Sequence, residues 1–236
     1  MSDVLILIPA YNEERAIGRV IENIRGVVGT TADIVVINDG SSDNTSGEAD
    51  RTGAIVVSHP YNMGYGAAIQ TGYKYARNKG YLYLVQLDAD GQHDPSCIPA
   101  LLAPVVAGKA DIAIGSRFLG SSYRPPFIRR VGMVLFSGIV SLVTKNAVSD
   151  TTSGFQAFNR DVISFFTSDL FPVDYPDADM LIMLHRAGFD MVEIPVKMFE
   201  NSEKKSMHSG IKPLYYTFKM LLSIFVTLLR SREKTG

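Results

Sequence analysis

Residues 4–13 read Val4-Leu5-Ile6-Leu7-Ile8-Pro9-Ala10-Tyr11-Asn12-Glu13, five apolar residues followed at once by a polar loop. A short apolar run without polar alternation marks a strand buried on both faces, as in a parallel sheet. The pattern returns at Ile34 to Ile37, Ala54 to Val57, Leu82 to Leu87 and Ile112 to Ile114. Between these runs lie stretches of helical length: Glu13 to Val28, a segment after Asp43, Gly64 to Asn78, and Ser96 to Val106. The alternation predicts an α/β fold, a doubly wound, mostly parallel sheet with helices on both faces. Such sheets bind ligands at the carboxyl ends of their strands, so the residues just after each run are candidates for chemistry.

Beyond Gly115 the alternation stops. Pro125-Pro126 cannot continue a helix, and a helix is expected from Ile128 to about Lys145. A turn at Ser149 to Gly154, a helix near Ala178 to Ala187 and a strand near Val192 to Phe199 follow. Then come a polar loop, Glu200 to Gly210, and a last helix from Pro213 to Arg230. In that helix Leu214, Phe218, Leu221, Leu222, Phe225, Leu228 and Leu229 recur at three- and four-residue spacing, the pattern of an amphipathic helix for a membrane surface or a partner helix. Truncation after Gly210 is expected to cost membrane retention and not the fold.

The 236 residues are 46% hydrophobic and 20% charged, enough for one large domain, or one domain with an appendage. With 23 Lys+Arg against 24 Asp+Glu, the net charge of −1 argues against a general nucleic-acid binder. The single cysteine, Cys97, excludes an internal disulfide and a Cys-rich zinc site, and reads as a small buried apolar residue. The N-terminus lacks the basic flank and long apolar run of a signal peptide, so the chain is expected to start in the cytosol. The apolar stretches Val131 to Val143 and Met220 to Leu229 fall well short of the roughly 20 residues that span a bilayer.

The near-neutral total conceals an asymmetry. Ile112 to Ser149 holds Arg117, Arg124, Arg129, Arg130 and Lys145 with no carboxylate, a net +5. Asn201 to Gly236 holds seven basic residues against two acidic, again +5, which leaves −11 on the remainder. Both basic stretches contain the apolar runs, the composition of a surface that lies on an anionic membrane or meets a phosphate-bearing lipid.

Asp39 follows the second run with a glycine beside it, in Asn38-Asp39-Gly40-Ser41-Ser42-Asp43, placed to accept hydrogen bonds from a ribose or base. The third run leads to Asn62-Met63-Gly64-Tyr65-Gly66, a Gly-x-Gly at a helix start that can present N–H groups to an anion such as a diphosphate. It lacks the third glycine of a dinucleotide fingerprint and the Lys-Ser/Thr of a P-loop, so a dehydrogenase or ATPase is disfavoured. The sharpest signal is Asp88-Ala89-Asp90-Gly91-Gln92-His93-Asp94-Pro95. Two carboxylates this close at a strand end repel unless a cation sits beside them. Oxygen ligands suit Mg²⁺ or Mn²⁺ bridging to substrate phosphates. Asp94, just before Pro95, is placed to cap the next helix, and His93 reads as a hydrogen-bonded neighbour.

In this order the motifs resemble the family-2 glycosyltransferases of GT-A fold, and within them the polyprenyl-phosphate sugar synthases of dolichol-phosphate mannose synthase type. Gly115-Ser116-Arg117 and Asp150-Thr151-Thr152-Ser153-Gly154-Phe155-Gln156 complete the match. It covers roughly residues 1 to 200 as a GT-A domain and leaves 201–236 as a basic loop with an amphipathic C-terminal helix. The resemblance implies that Pro9, Tyr11, Glu13, Asp39 and Asp88 hold a nucleoside-diphosphate sugar. Asp88 and Asp90, with Gln92, would hold Mg²⁺ or Mn²⁺, and Arg117 with Arg129 or Arg130 would hold the phosphate of a polyprenyl (dolichyl or undecaprenyl) acceptor.

The implied reaction is metal-dependent, inverting glycosyl transfer at the cytoplasmic face of a membrane. A small membrane protein or a second copy of the chain is a candidate partner of the C-terminal helix. A lipid phosphate is already ionised near neutral pH and needs no strong base. A hydroxyl acceptor, in polysaccharide or glycan synthesis, is the alternative; Asp150 and Asp177 would then serve as acid–base groups, whereas with a phosphate acceptor they orient the sugar or an arginine. Asp177 also sits where a helix-capping carboxylate is favoured. The chain departs from the family pattern at Asn38, at Gln156 where an arginine is common, and in the loop holding Lys205, Ser206 and His208.

Overall fold

The structure, a computed structural model, describes residues 2–119, 127–145, 148–169, 171–172, 176–199 and 212–229. The elements in chain order are β1 (Val4–Ala10), α1 (Ile17–Val28), β2 (Ala32–Asn38), α2 (Thr45–Arg51), β3 (Ile55–Ser58), α3 (Tyr65–Lys79) and β4 (Tyr83–Gln86). A single 3-10 turn, Pro95–Cys97, leads into α4 (Ile98–Val106), then β5 (Ile112–Ser116), α5 (Phe127–Thr144), β6 (Gln156–Asn159), α6 (Arg160–Phe166), α7 (Ala178–Ala187), β7 (Met191–Pro195) and α8 (Lys212–Leu229). The strands form one sheet in the order β3-β2-β1-β4-β6-β5-β7.

The pleat explains why the runs are apolar throughout. Successive side chains point to opposite faces, and here both faces are covered. Leu5 and Leu7 of β1 pack with Ala68, Ile69 and Tyr73 of α3 on one side, beside Val35, Ile37 and Leu84. Ile6 and Ile8 pack with Ile17, Val20, Ile21 and Ile24 of α1 on the other, beside Val36 and Val85.

Every strand is parallel to its neighbours except β6, which runs antiparallel to both β4 and β5. Sequence patterning does not predict this strand or the helix after it. Four residues, Gln156-Ala157-Phe158-Asn159, are too few for periodicity to register, and both ends are polar. Asn159 ends the strand and caps α6, its Oδ1 accepting from Val162 N at 3.0 Å. The reversal has a geometric consequence: the segment leading into β6 lies at the sheet edge where β4 and β5 end.

Two boundaries differ from the sequence reading. α1 starts at Ile17 instead of Glu13; the N–H groups of Glu13 and Glu14 go to Thr45 Oγ1 (2.8 Å) at the start of α2 and to Asp43 Oδ2 (3.2 Å) in the loop after β2. β7 stops at Pro195, and the chain then crosses to Gln92–Asp94, where Phe199 N reaches Gln92 O at 2.7 Å.

α8 packs on α7, with Met220 and Ile224 in the core. The Ser223 hydroxyl donates to Asp179 Oδ2, and an Arg186 Nη1–H donates to Leu228 O at 2.9 Å. This corrects the expectation that removal after Gly210 spares the fold: truncation would strip a covering from Met220's and Ile224's neighbours and leave Asp179 without Ser223. The opposite face is also apolar, with Phe218 64% and Leu229 70% exposed beside Leu222 and Phe225. The helix therefore has two apolar faces, one seated and one open.

Tyr73, Phe158, Phe166 and Phe171 form an aromatic cluster with ring centroids 5.1 to 5.7 Å apart. Phe166→Ala should lower stability by about 3–5 kcal/mol in urea titration, because a fully buried ring leaves a cavity its edge-packed neighbours cannot fill. A loss below about 1 kcal/mol would show that the cluster collapses around the gap.

Candidate active site

The loops after β1 and β2 are laced together. Asn12 N donates to Ser41 Oγ at 3.0 Å, and Ser42 N to Asn12 Oδ1 at 2.9 Å. Burial works against the Asp43 carboxylate, yet hydrogen bonds from Thr45 and from the N–H of Glu14 hold it below its ordinary value. Pro9 is buried at the end of β1, Tyr11 is exposed, and Glu13 is half-buried at the same edge.

Asp39 is buried, and its carboxylate is held by three donors: His59 Nδ1 (2.7 Å) and Met63 N (2.9 Å) at Oδ1, and Gly64 N (2.9 Å) at Oδ2. Of the Gly-x-Gly turn, the Gly64 N–H is thus engaged, with that of Met63 before it, by a carboxylate of the chain itself. Gly40 closes the arrangement at φ +65°, where a Cβ would stand 2.3 Å from the Tyr61 carbonyl carbon. A carboxylate has about four acceptor positions, so Asp39 keeps capacity for one more donor.

Asp88 follows β4 with its side chain about a third exposed. The Tyr65 hydroxyl, at the start of α3, donates to Asp88 Oδ1 at 3.1 Å. Burial, and then the Asp88 charge, push that hydroxyl well above the usual tyrosine range, so it remains a donor. Asp88 N donates to His93 Nδ1 at 3.2 Å. Burial lowers the His93 pKa, and the ring, tilted against Phe155 with centroids 5.0 Å apart, fixes the turn. Asp94 Oδ1 accepts from Ser96 N at 2.9 Å, the cap expected before Pro95.

Asp90 accepts from Gln92 N (3.0 Å) and Gln92 Nε2 (2.8 Å). Burial raises its pKa, and the Asp88 charge acts in the same direction. Two neighbouring carboxylates, one of them resisting ionisation, are a donor set that a hard cation would relieve. Gly154 lets the backbone approach this pair: a Cβ there would lie 2.8 Å from Asp88 Oδ2. Among the described residues no group of three or more His, Cys, Asp or Glu could enclose a metal. The residues fit a cation whose remaining ligands come from a bound molecule.

Arg117, just past β5, is locked to Asp150. Its Nε and Nη2 donate to the two carboxylate oxygens at 2.7 Å each, its N–H adds a third bond, and Nη2 also reaches Thr152 Oγ1 at 2.7 Å. Asp150 is fully buried and its own N–H is held by Glu193 of β7 at 2.9 Å. Arg129 and Arg130 lie in α5 with side chains outside the described residues, as are Arg124, Lys205, Ser206 and His208.

Asp177 precedes α7 without a side-chain capping bond; Asp179 takes that role, accepting from Asp177 N (3.1 Å) and Met180 N (2.8 Å). Asp177 is close enough for its charge to act on Tyr65. Gln156, where the family often has arginine, donates Nε2 to the Ser153 carbonyl at 2.8 Å and so braces the loop before β6.

The edge thus gathers Asp39, Asp88, Asp90, Gln92, Arg117, Asp150 and Asp177 near one another along the strand ends. Sequence reasoning missed His59, Tyr65 and Glu193 as partners of these groups. His59 and Tyr65 flank the Asn62-Met63-Gly64 turn and were within sight of the motif; Glu193 carries no local signal.

Paired carboxylates and an anchored arginine at the carboxyl ends of a mostly parallel sheet stand where α/β proteins bind their ligands. The model of glycosyl transferase family 2 matches residues 5–167, and the chain belongs to that family. It is 32% identical to a polyprenol monophosphomannose synthase of Mycolicibacterium smegmatis, over 87% of this chain and 81% of that one. It is 30% identical to an undecaprenyl-phosphate mannosyltransferase of Micrococcus luteus, over 88% of each. A UDP-N-acetylglucosamine–dolichyl-phosphate N-acetylglucosaminyltransferase of Methanococcus voltae shares 29% identity over 95% of this chain and 97% of its own. Among solved structures, glucosyl-3-phosphoglycerate synthase of Mycobacterium tuberculosis, in complex with Mn²⁺ and UDP-glucose, superposes with a TM-score of 0.71 at 20% identity, covering 95% of this chain and 78% of that one. The fold is GT-A, and the protein is a glycosyltransferase.

Burial raises the Asp179 pKa against hydrogen bonds from Ser223, Met180 and Asp177. A carboxyl raised in the folded state favours folding fully below its unfolded value, about 4, and that contribution is lost as pH rises through the folded value. Asp179→Asn should therefore gain melting temperature relative to wild type between about pH 4 and pH 7. Parallel melting curves across that range would show that Asp179 carries no such cost.

Proposed function

We propose that the protein transfers a sugar from a nucleoside-diphosphate sugar to a polyprenyl phosphate, with inversion at the anomeric carbon and with Mg²⁺ or Mn²⁺ bound. The observation that carries the reading is Arg117, anchored by a buried carboxylate at the same sheet edge as Asp88 and Asp90. Asp150 is unsuited to take a proton from an acceptor, since both its oxygens are committed to that guanidinium. This favours an acceptor already ionised, and a phosphate monoester, with a second pKa of about 6, is one.

Asp88 and Asp90, with Gln92, would hold the cation, which when bound neutralises charge developing on the departing nucleoside diphosphate. Pro9, Tyr11 and Glu13 bound the nucleotide, and Asp39 offers its remaining acceptor position to it. In this reading Arg117 lies beside the lipid phosphate. Its own charge is balanced by Asp150, so the net positive charge falls to Arg129 or Arg130 of α5. Asp177 orients the sugar from the start of α7. The names of the three relatives, each a polyprenyl- or dolichyl-phosphate sugar transferase, support the acceptor, and the Mn²⁺ complex of the structural neighbour supports the metal.

Residues 1–200 form the catalytic unit in this reading, and 201–236 meet the membrane on its cytoplasmic face. The described residues contain no helix long and apolar enough to cross a membrane. The open face of α8 offers Phe218, Leu222, Phe225 and Leu229 to an interface, with a small membrane protein or a second copy as other occupants.

A panel of sugar nucleotides with polyprenyl phosphate and Mn²⁺ or Mg²⁺ tests the reaction. A sugar-labelled lipid is expected, reduced at least about a hundredfold by Asp90→Ala. Nucleotide release without lipid product would discard the lipid-phosphate acceptor, and its loss in Asp177→Asn would favour a hydroxyl acceptor.

For the membrane, Leu222→Ser with Phe225→Ser should weaken binding to anionic vesicles at least about tenfold, since each buried side chain contributes about 1.5–3 kcal/mol. Unchanged co-flotation would remove α8 from the interface.

A further inference from the structure

A chain of hydrogen bonds runs from the aromatic core to the exposed carboxylate of Asp88. Tyr73, fully buried, donates its hydroxyl to Gln86 Oε1 at 2.5 Å. That contact fixes the orientation of the Gln86 amide, since only its oxygen can accept. Gln86 Nε2 then faces the Tyr65 oxygen at 3.1 Å and the Gly154 carbonyl at 3.4 Å. An amide nitrogen only donates, so the Tyr65 oxygen is the acceptor there and its own proton goes to Asp88 Oδ1 at 3.1 Å. Every donor in the series points the same way, toward Asp88. On the other side, the Gly154 backbone stands close enough to Asp88 Oδ2 that no side chain fits between them.

We propose that Tyr65 is a positioning residue for Asp88: its hydroxyl, oriented by Gln86 and Tyr73, holds the carboxylate in the orientation seen here, in which it would serve a divalent cation bound together with a nucleoside diphosphate. The inference rests on the reading of Asp88 and Asp90 as the cation site. Tyr65 itself need touch neither the cation nor the sugar. The residue remains 38% exposed, so its hydroxyl can be removed with little loss of packing. Groups that orient a metal ligand typically govern about 10- to 100-fold in metal affinity; with one of two carboxylates affected, the lower end applies.

The test compares wild type, Tyr65→Phe and Tyr73→Phe, measuring UDP and GDP binding by calorimetry with EDTA or with Mn²⁺, and free Mn²⁺ by electron paramagnetic resonance. Whichever nucleotide the wild type holds, Tyr65→Phe should raise the half-saturating Mn²⁺ concentration about tenfold and change metal-free nucleotide affinity less than about twofold. Tyr73→Phe, which frees the Gln86 amide to turn, should move the same quantity in the same direction by less. This second variant also serves if Tyr65→Phe melts early. Wild-type Mn²⁺ dependence in both variants would overturn the inference and leave the proposed function standing. Equal losses with and without Mn²⁺ would make Tyr65 a structural residue only, and would overturn it too. A wild type that binds neither nucleotide with Mn²⁺ would remove the cation-site reading and this inference with it.

Discussion

The active edge depends on one strand entering the sheet backwards. β6 pairs antiparallel with both β4 and β5, so the residues that precede it arrive where its neighbours end. Gly154 thereby comes against Asp88, and Asp150 against Arg117. A parallel strand in that position would deliver its preceding loop to the opposite edge of the sheet. The acidic motif after β4 and the basic residue after β5 would then each lack the partner that orients it. The reversal is held in place by contacts well away from the edge. Phe158 of β6 lies in the aromatic cluster, and Asn159 Nδ2 donates to Asp111 Oδ1 at 2.6 Å.

Charge is handled differently at the two ends of this edge. On the Asp39 side, backbone N–H groups and a histidine compensate a buried carboxylate, so the negative charge is spread into the loop that forms the third strand's exit. On the Arg117 side, a guanidinium takes both oxygens of Asp150 in a bidentate pair. Between them, among the described residues, the donors to the Asp88 and Asp90 carboxylates are neutral, Tyr65 and Gln92. Among those residues the middle of the edge therefore holds two carboxylates with no paired guanidinium. That contrast, more than any single residue, marks where a cation and a diphosphate would meet.

Much of the sheet was legible because buried strands must be apolar on both faces, and that constraint writes unbroken runs into the sequence at β1, β2, β4 and β5. The motif residues were legible for a related reason, since they fall immediately after those runs. What escaped was whatever depends on contacts distant in sequence. β6 is too short to show a period, and nothing in Gln156-Ala157-Phe158-Asn159 tells its direction. Glu193 holds the N–H of Asp150 from 43 residues away. That the Gly64 N–H holds a carboxylate of the chain itself could not be read locally, because that carboxylate lies 25 residues earlier. Asp177 was read as a cap where Asp179, two residues on, ties off the helix.

Asp179 has a further consequence for how the molecule could respond to its surroundings. Its carboxylate closes the first turn of α7 with one oxygen and receives the Ser223 hydroxyl of α8 with the other. Asp177 lies on the same backbone segment, its N–H held by that first oxygen. The tail helix and the segment carrying Asp177 are thus tied to one carboxylate, that of Asp179. Removing the helix would take a donor from that carboxylate at the same point where it holds the entry to α7.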